Sequence, residues 1–167
     1  IARRTTQPAN PVWQSPAWPA PHPDSLPGMR HWGRWDARPI PPDHPRFQRE
    51  TPEGGDRAHS NAAVLGQLAR ADTRQTWLRA EQVIVRGAPL TPFLHLVTTA
   101  DFASPLTHSS AFGIDFVNTD FTIHLHRLPR GEWLGYELAG HSSADGVAVG
   151  EAAIHDVDGP LGMIVVS

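Results

Sequence analysis

The sequence predicts an α+β domain in which an antiparallel sheet wraps one central helix. Three observations predict it. Residues 91–104 carry one broad apolar stripe at helical spacing, the apolar period changes to two from Phe121, and turn residues then separate meandering strand-like runs down to Ser167.

The elements follow in order along the chain. Proline recurs every two to five residues in PANPVWQSPAWPAPHPDSLPG, removing amide donors and fixing φ, so residues 1–28 are predicted to be an extended linker. Exposed tryptophan is a liability in a free connector, so Trp13 and Trp18 are expected to lie against a neighbouring domain. Residues 29–38, MRHWGRWDAR, read as a first strand. A loop-rich insertion follows at about 41–72, with a short helix at 61–71 that places Val64, Leu65 and Leu68 on one side. The domain is thus expected to span 29–167, with its core in 76–167.

Within that core, Trp77, Arg79, Glu81, Val83 and Val85 alternate with Leu78, Ala80, Gln82, Ile84 and Arg86, predicting a strand over 76–86 that stops at Gly87. Thr91 followed by Pro92 is an N-cap and first-turn pair. Phe93, Leu94, Leu96, Val97, Ala100 and Phe102 form the helical stripe that runs up to Pro105. Beyond it, Phe121, Ile123 and Leu125 share one strand face, while Thr122, His124 and His126 share the other. Strands are predicted over 120–128, 132–140, 146–156 and 161–167, with a hairpin turn at Asp158-Gly159.

Composition bounds the function. Of 17 prolines, twelve lie in residues 1–56; residues 57–167 carry seven arginines against eleven acids, a balance near minus four. No basic patch invites nucleic acid. All fourteen basic residues are arginine, which removes lysine-based catalysis, and the absence of cysteine removes disulfides, zinc-thiolate sites and a thiol nucleophile. A reducing, cytoplasmic location is therefore permitted and is the one predicted. No run approaches the ~18 apolar residues of a membrane span. The chain opens on IARRTT, with neither an apolar signal segment nor an initiator Met, and is expected to be a fragment or a processed product.

Three segments carry a resemblance: TWLRAEQVIVRGAPLTPFLHLVTTADFASPL, FVNTDFTIHLHRLPRGEWLGYELAGHSSADGVAVGEAAIHD and DGPLGMIVVS. In order and spacing they resemble the C-terminal hotdog of the acyl-CoA thioesterase family related to bacterial thioesterase II, over about residues 76–167. The resemblance implies a hotdog fold, half of a double hotdog whose repeats are joined by a proline-rich linker. It also implies a companion hotdog domain, in the same polypeptide or as an oligomer partner, an acyl-CoA or acyl-carrier substrate, and no cofactor. The implied chemistry is thioester hydrolysis by a water held among a carboxylate, a hydroxyl and a glutamine amide. Asp101 in ADFAS matches the carboxylate and Thr122 in DFTIHLHR the hydroxyl, a proton acceptor beside a water-orienting group. The glutamine is implied near Val166 or Ser167, where none stands; either the site continues past Ser167 or the chain dispenses with that member.

Each candidate has a plainer reading. Asp101 can be a solvated acid or a local cap, and Thr122 an ordinary β-former. His124 and His126 share a strand face at metal-pair spacing, but no third ligand is indicated. His141-Ser142-Ser143-Ala144-Asp145 holds the ingredients of a nucleophilic triad, yet neighbours on an extended chain point to opposite faces. Gly159 and Gly162 read as turn and packing glycines. His95 lies on the helix without a hydratase motif, so a hotdog dehydratase is the weakest option. Two classes stand: a thioester hydrolase completed by a companion hotdog, and a noncatalytic hotdog subunit that binds an acyl ligand or stabilises a partner chain.

Overall fold

The computed structural model of the chain describes residues 17–27, 29–32, 35–40, 74–81, 84–110 and 113–167. The expected helix at 61–71 and Trp13 lie outside these residues. Strands β1 (Met29–Trp32), β2 (Trp35–Pro39) and β3 (Gln75–Ala80) precede helices α1 (Pro92–Ala100) and α2 (Ala103–His108). Then come a short ladder, β4 (Ser109–Ser110) with β5 (Gly113–Ile114), and strands β6 (Phe121–Leu125), β7 (Leu134–Ala144), β8 (Val147–Asp156) and β9 (Gly159–Val166). Among the described residues one seven-stranded sheet runs in the order β1-β2-β3-β7-β8-β9-β6. Every neighbouring pair in it is antiparallel, as predicted.

The long strands come from alternation, and their ends from turn chemistry. β7 and β8 meet at Asp145 and Gly146, whose φ angles of 52° and 82° place both residues in the left-handed region that a two-residue hairpin requires. That turn carries β7 past the expected end at 140 to Ala144. The β8–β9 hairpin closes with Asp156 opposite Gly159, one residue from the predicted turn. Residues 29–38, read as one strand, are two, with Trp32 opposite Trp35. The strand expected to reach 86 leaves the sheet at Ala80.

The helix predicted over 91–104 departs most from expectation. Thr91 caps it as expected, its hydroxyl accepting from the Leu94 amide at 3.2 Å. At Asp101 it breaks, and it resumes as α2 through Pro105 to His108. Pro105 supplies the reason: in an unbroken helix its ring would meet the carbonyl four residues back, which is that of Asp101. In the first turn of a new helix the missing N–H costs nothing.

Both helices lie on one face of the sheet. Leu96, Ala100, Phe102, Ala103 and Leu106 pack against Leu78, Leu134, Tyr136, Ala152, Ile154, Leu161, Ile164 and Val166, all essentially sealed from solvent. Each fully buried aliphatic or aromatic side chain contributes about 1.5–3 kcal/mol, so this layer dominates the stability of the domain.

The opposite, outer face carries a second cluster. Ile40, Trp77 and Trp133 pack with Trp18, Ala20 and Leu26, so residues 17–27 form a strap across the sheet. Trp77 Nε1 donates to the Pro21 carbonyl at 2.9 Å, and Arg38 Nη1 to that of Pro23 at 2.7 Å. Trp18, expected against a neighbouring domain, packs here on its own. The apolar area it covers lies within reach along the same chain, which suffices to hold a proline-rich segment that cannot pair as a strand.

Candidate active site

Asp101 stands at the junction of α1 and α2, exposed to solvent. The turn there is tight. Phe102 N–H reaches the Thr99 carbonyl at 3.1 Å and Ser104 N–H the Asp101 carbonyl at 3.3 Å. Turning the chain at this point buries Phe102 edge-on against Trp35, centroids 5.8 Å apart, and leaves Asp101 outside. Two further bonds fix the end of α1. Trp35 Nε1 donates to the Thr98 carbonyl at 3.0 Å, satisfying one of the helix's orphaned acceptors, and the Thr99 and Tyr136 hydroxyls meet at 2.8 Å in the core. Burial pushes the Tyr136 phenol well above its ordinary pKa, although the Thr99 bond pulls the other way, so it stays a neutral hydroxyl.

Thr122 lies in β6, the last strand in the described sheet, opposite Val165 of β9. Its neighbours Ile123 and Leu125 pack on the inner core, so alternation sends Thr122 and His124 to the outer face. No side-chain hydrogen bond joins Asp101 to Thr122 among the described residues. Asp101 thus stands on the helix layer, and alternation puts Thr122 on the outer face.

The entrance to β6 holds a polar knot that the sequence reading did not single out. The amides of Thr119 and Asp120 and the Thr119 hydroxyl all donate to the Ser167 carbonyl, at 2.6, 3.1 and 3.1 Å, while Ser167 Oγ donates to Asp120 Oδ1 at 3.0 Å. The run Asn118-Thr119-Asp120 signals a turn; only the pairing of β6 with β9 brings it to the position where the resemblance implies a glutamine.

The arginine of the HLHR pattern forms a clamp. Arg127 forks onto both carboxylate oxygens of the fully buried Asp156 side chain, which also accepts from the amides of Arg130 and Asp158, each at 2.9 Å. Burial by itself raises the Asp156 pKa; the hydrogen bonds from Arg127 and the two amides, with the guanidinium charge, outweigh it and leave the group below the usual range. This carboxylate ties the 126–132 loop to the β8–β9 turn.

The other candidates disperse. His95 is buried, and its Nε2 accepts from the Ala80 amide at 3.2 Å, so it joins α1 to β3; burial lowers its pKa, only partly offset by Glu132. His141 reaches the buried His108, Nδ1 to Nδ1 at 3.3 Å, while Ser142 and Ser143 stay exposed. His124 and His126 line an outer groove of about 940 Å³ with Ala17, Trp18, Pro19, Glu137 and Met163. Among the described residues no group of three or more His, Asp or Glu side chains forms a metal centre, and no helix is long and apolar enough to cross a membrane.

Comparison with known proteins identifies the family and the fold. The model of the acyl-CoA thioesterase C-terminal domain matches residues 6–165. Among solved structures the chain is similar to the acyl-CoA thioesterase II TesB2 of Mycobacterium marinum, at 25% identity and a TM-score of 0.50, covering 94% of this chain and 56% of that one. It is also similar in fold to a tesB protein of Mycobacterium avium subspecies paratuberculosis, at 18% identity and a TM-score of 0.50, over 93% of this chain and 54% of that one. The chain thus spans just over half the length of these relatives. No curated protein matches it. The antiparallel sheet on its helical layer is a hotdog fold.

Proposed function

The chain belongs to the family of acyl-CoA thioesterase C-terminal domains, and from that premise we propose that it is one half of a thioester hydrolase, acting on acyl-CoA or acyl-carrier thioesters once a companion hotdog completes the site. The observation that carries the reading is the family match across residues 6–165. Asp101 is the general base in this proposal and Thr122 the hydroxyl that orients the water. The exposed junction between α1 and α2 supports the first role, since a base has to reach its water before its basicity matters. The exposed edge strand supports the second, because it brings Thr122 to the border where a companion sheet can pair. The companion hotdog supplies the rest of the acyl tunnel.

A second reading has its own observation. Asp101 and Thr122 sit on different layers, with no side-chain hydrogen bond between them among the described residues. A noncatalytic hotdog subunit that binds acyl ligand or stabilises a partner accounts for that separation.

Steady-state hydrolysis of medium- and long-chain acyl-CoA by the assembled protein separates them. Asp101→Asn keeps size but removes proton acceptance, and kcat should fall on the order of 100-fold. Thr122→Val should weaken hydrolysis less, since the base remains. Unchanged rates in Asp101→Asn, or no hydrolysis with the companion hotdog present, leave the noncatalytic subunit as the function.

A further inference from the structure

The strap across the outer face encloses polar atoms that it does not satisfy. Trp18 stacks on the His155 ring, with centroids 4.3 Å apart and planes 24° apart, and tilts onto Trp77 at 5.0 Å. The indole enters because position 135 is glycine; a Cβ there would collide with the Trp18 six-membered ring. Beneath it His155 is 6% exposed, and among the described residues neither ring nitrogen has a hydrogen-bond partner. Trp18 Nε1 is buried and, among the described residues, unpartnered as well. Glu137 Oε2 comes within 3.4 Å of His155 Nε2, but without the alignment of a hydrogen bond. Three orphaned polar atoms in one layer oppose closure, since water would satisfy each of them on opening.

We infer that residues 17–27 form an acid-released strap, held over the sheet while the His155 ring is neutral and let go when that ring takes up a proton. With the strap closed, both His155 ring nitrogens are sealed from solvent, and no acceptor among the described residues is aligned on them. The groups around the ring do not supply one. Glu137, facing it from β7, approaches to 3.4 Å without the alignment of a hydrogen bond, and burial raises its own pKa. Asp156, next on β8, is consumed by Arg127 and two amides. His124 and His126 stand across the groove on the β6 side and offer no carboxylate. From β3 the contact is Trp77, and Arg79 is turned onto Trp133. The strap's own ionisable pair, His22 and Asp24, lies in solvent, with Asp24 3.8 Å from Arg38.

Burial lowers His155 to about 4, opposed only by Asp156. The folded value is below the free one, so the neutral ring's contribution is fully present above about pH 6.5 and is lost as the pH falls towards the folded value. Between about pH 7.5 and 5 the open-to-closed ratio should rise on the order of 30-fold. Release also enlarges the outer groove, because Ala17, Trp18 and Pro19 form one of its walls.

Fluorine NMR of the full chain labelled with fluorotryptophan tests this, with the Trp18 resonance assigned by its loss in Trp18→Phe. The exposed Trp18 signal should grow on acidification with the predicted steepness, and the His155 ring protons should titrate over the same interval. In His155→Gln the growth should vanish. A Trp18 signal unmoved down to about pH 5, an unchanged pH response in His155→Gln, or a His155 titration at a different pH from the Trp18 transition would each overturn the proposal. The last comparison needs no variant, so it holds even where His155→Gln fails to fold.

Discussion

At the scale of single residues, the chain's clearest chemistry serves stability. Asp156 has no exposed side-chain surface and is bound by Arg127, Arg130 and Asp158. Replacing one member of such a pair strands the other charge, so Asp156→Asn should lower stability by about 2–3 kcal/mol in urea unfolding. Because the folded pKa is depressed, wild type should keep this advantage above about pH 4 and lose it as the pH falls through the folded value. A gap between the two proteins that persists unchanged well below pH 4 would mean that the carboxylate acts by shape and not by charge. The pattern HLHR could be read from the sequence, but its meaning could not. Arg127 and Asp156 are far apart along the chain, and nothing local announces their pairing.

At the scale of elements, β6 is the one the candidate site depends on, and its hold on the sheet is a close backbone approach. A Cβ at Gly162 would strike the carbonyl of His124, so Gly162→Ala should push β6 away from β9. Amide exchange at residues 121–125 should then speed up markedly while the β7–β8 hairpin stays protected. Equal protection in the variant would show that the strands can shift to admit the methyl. The period-two run at 121–125 made this strand legible, and the Thr91-Pro92 pair did the same for the start of α1. The break at Asp101 was harder to see, because the apolar stripe continues through Phe102 and only the geometry of Pro105 against the residue-101 carbonyl interrupts it.

For the whole molecule, the dominant fact is that β6 is an edge strand among the described residues, in a chain that spans 56% of a solved relative. Such an edge offers unpaired amides and carbonyls to another sheet. The full chain is therefore expected to self-associate, or to bind a companion hotdog, through β6 in sedimentation velocity. Phe121→Glu, a charge placed on that exposed edge, should shift the species to monomer. A wild-type chain that sediments only as a monomer and binds no hotdog partner would remove the basis for a shared site.

The sequence by itself determined the helix start, the antiparallel class and most strand positions, because caps, turns and alternation are local properties written within a few residues. It also supplied the family, through segments that keep their order and spacing. Tertiary structure alone decided that Trp18 folds back onto its own sheet, that His95 and Arg127 are structural, and that Asp101 and Thr122 lie on different layers. Those outcomes depend on which distant strands become neighbours, and strand order is set by the sum of burial across the sheet, which no short stretch of sequence contains.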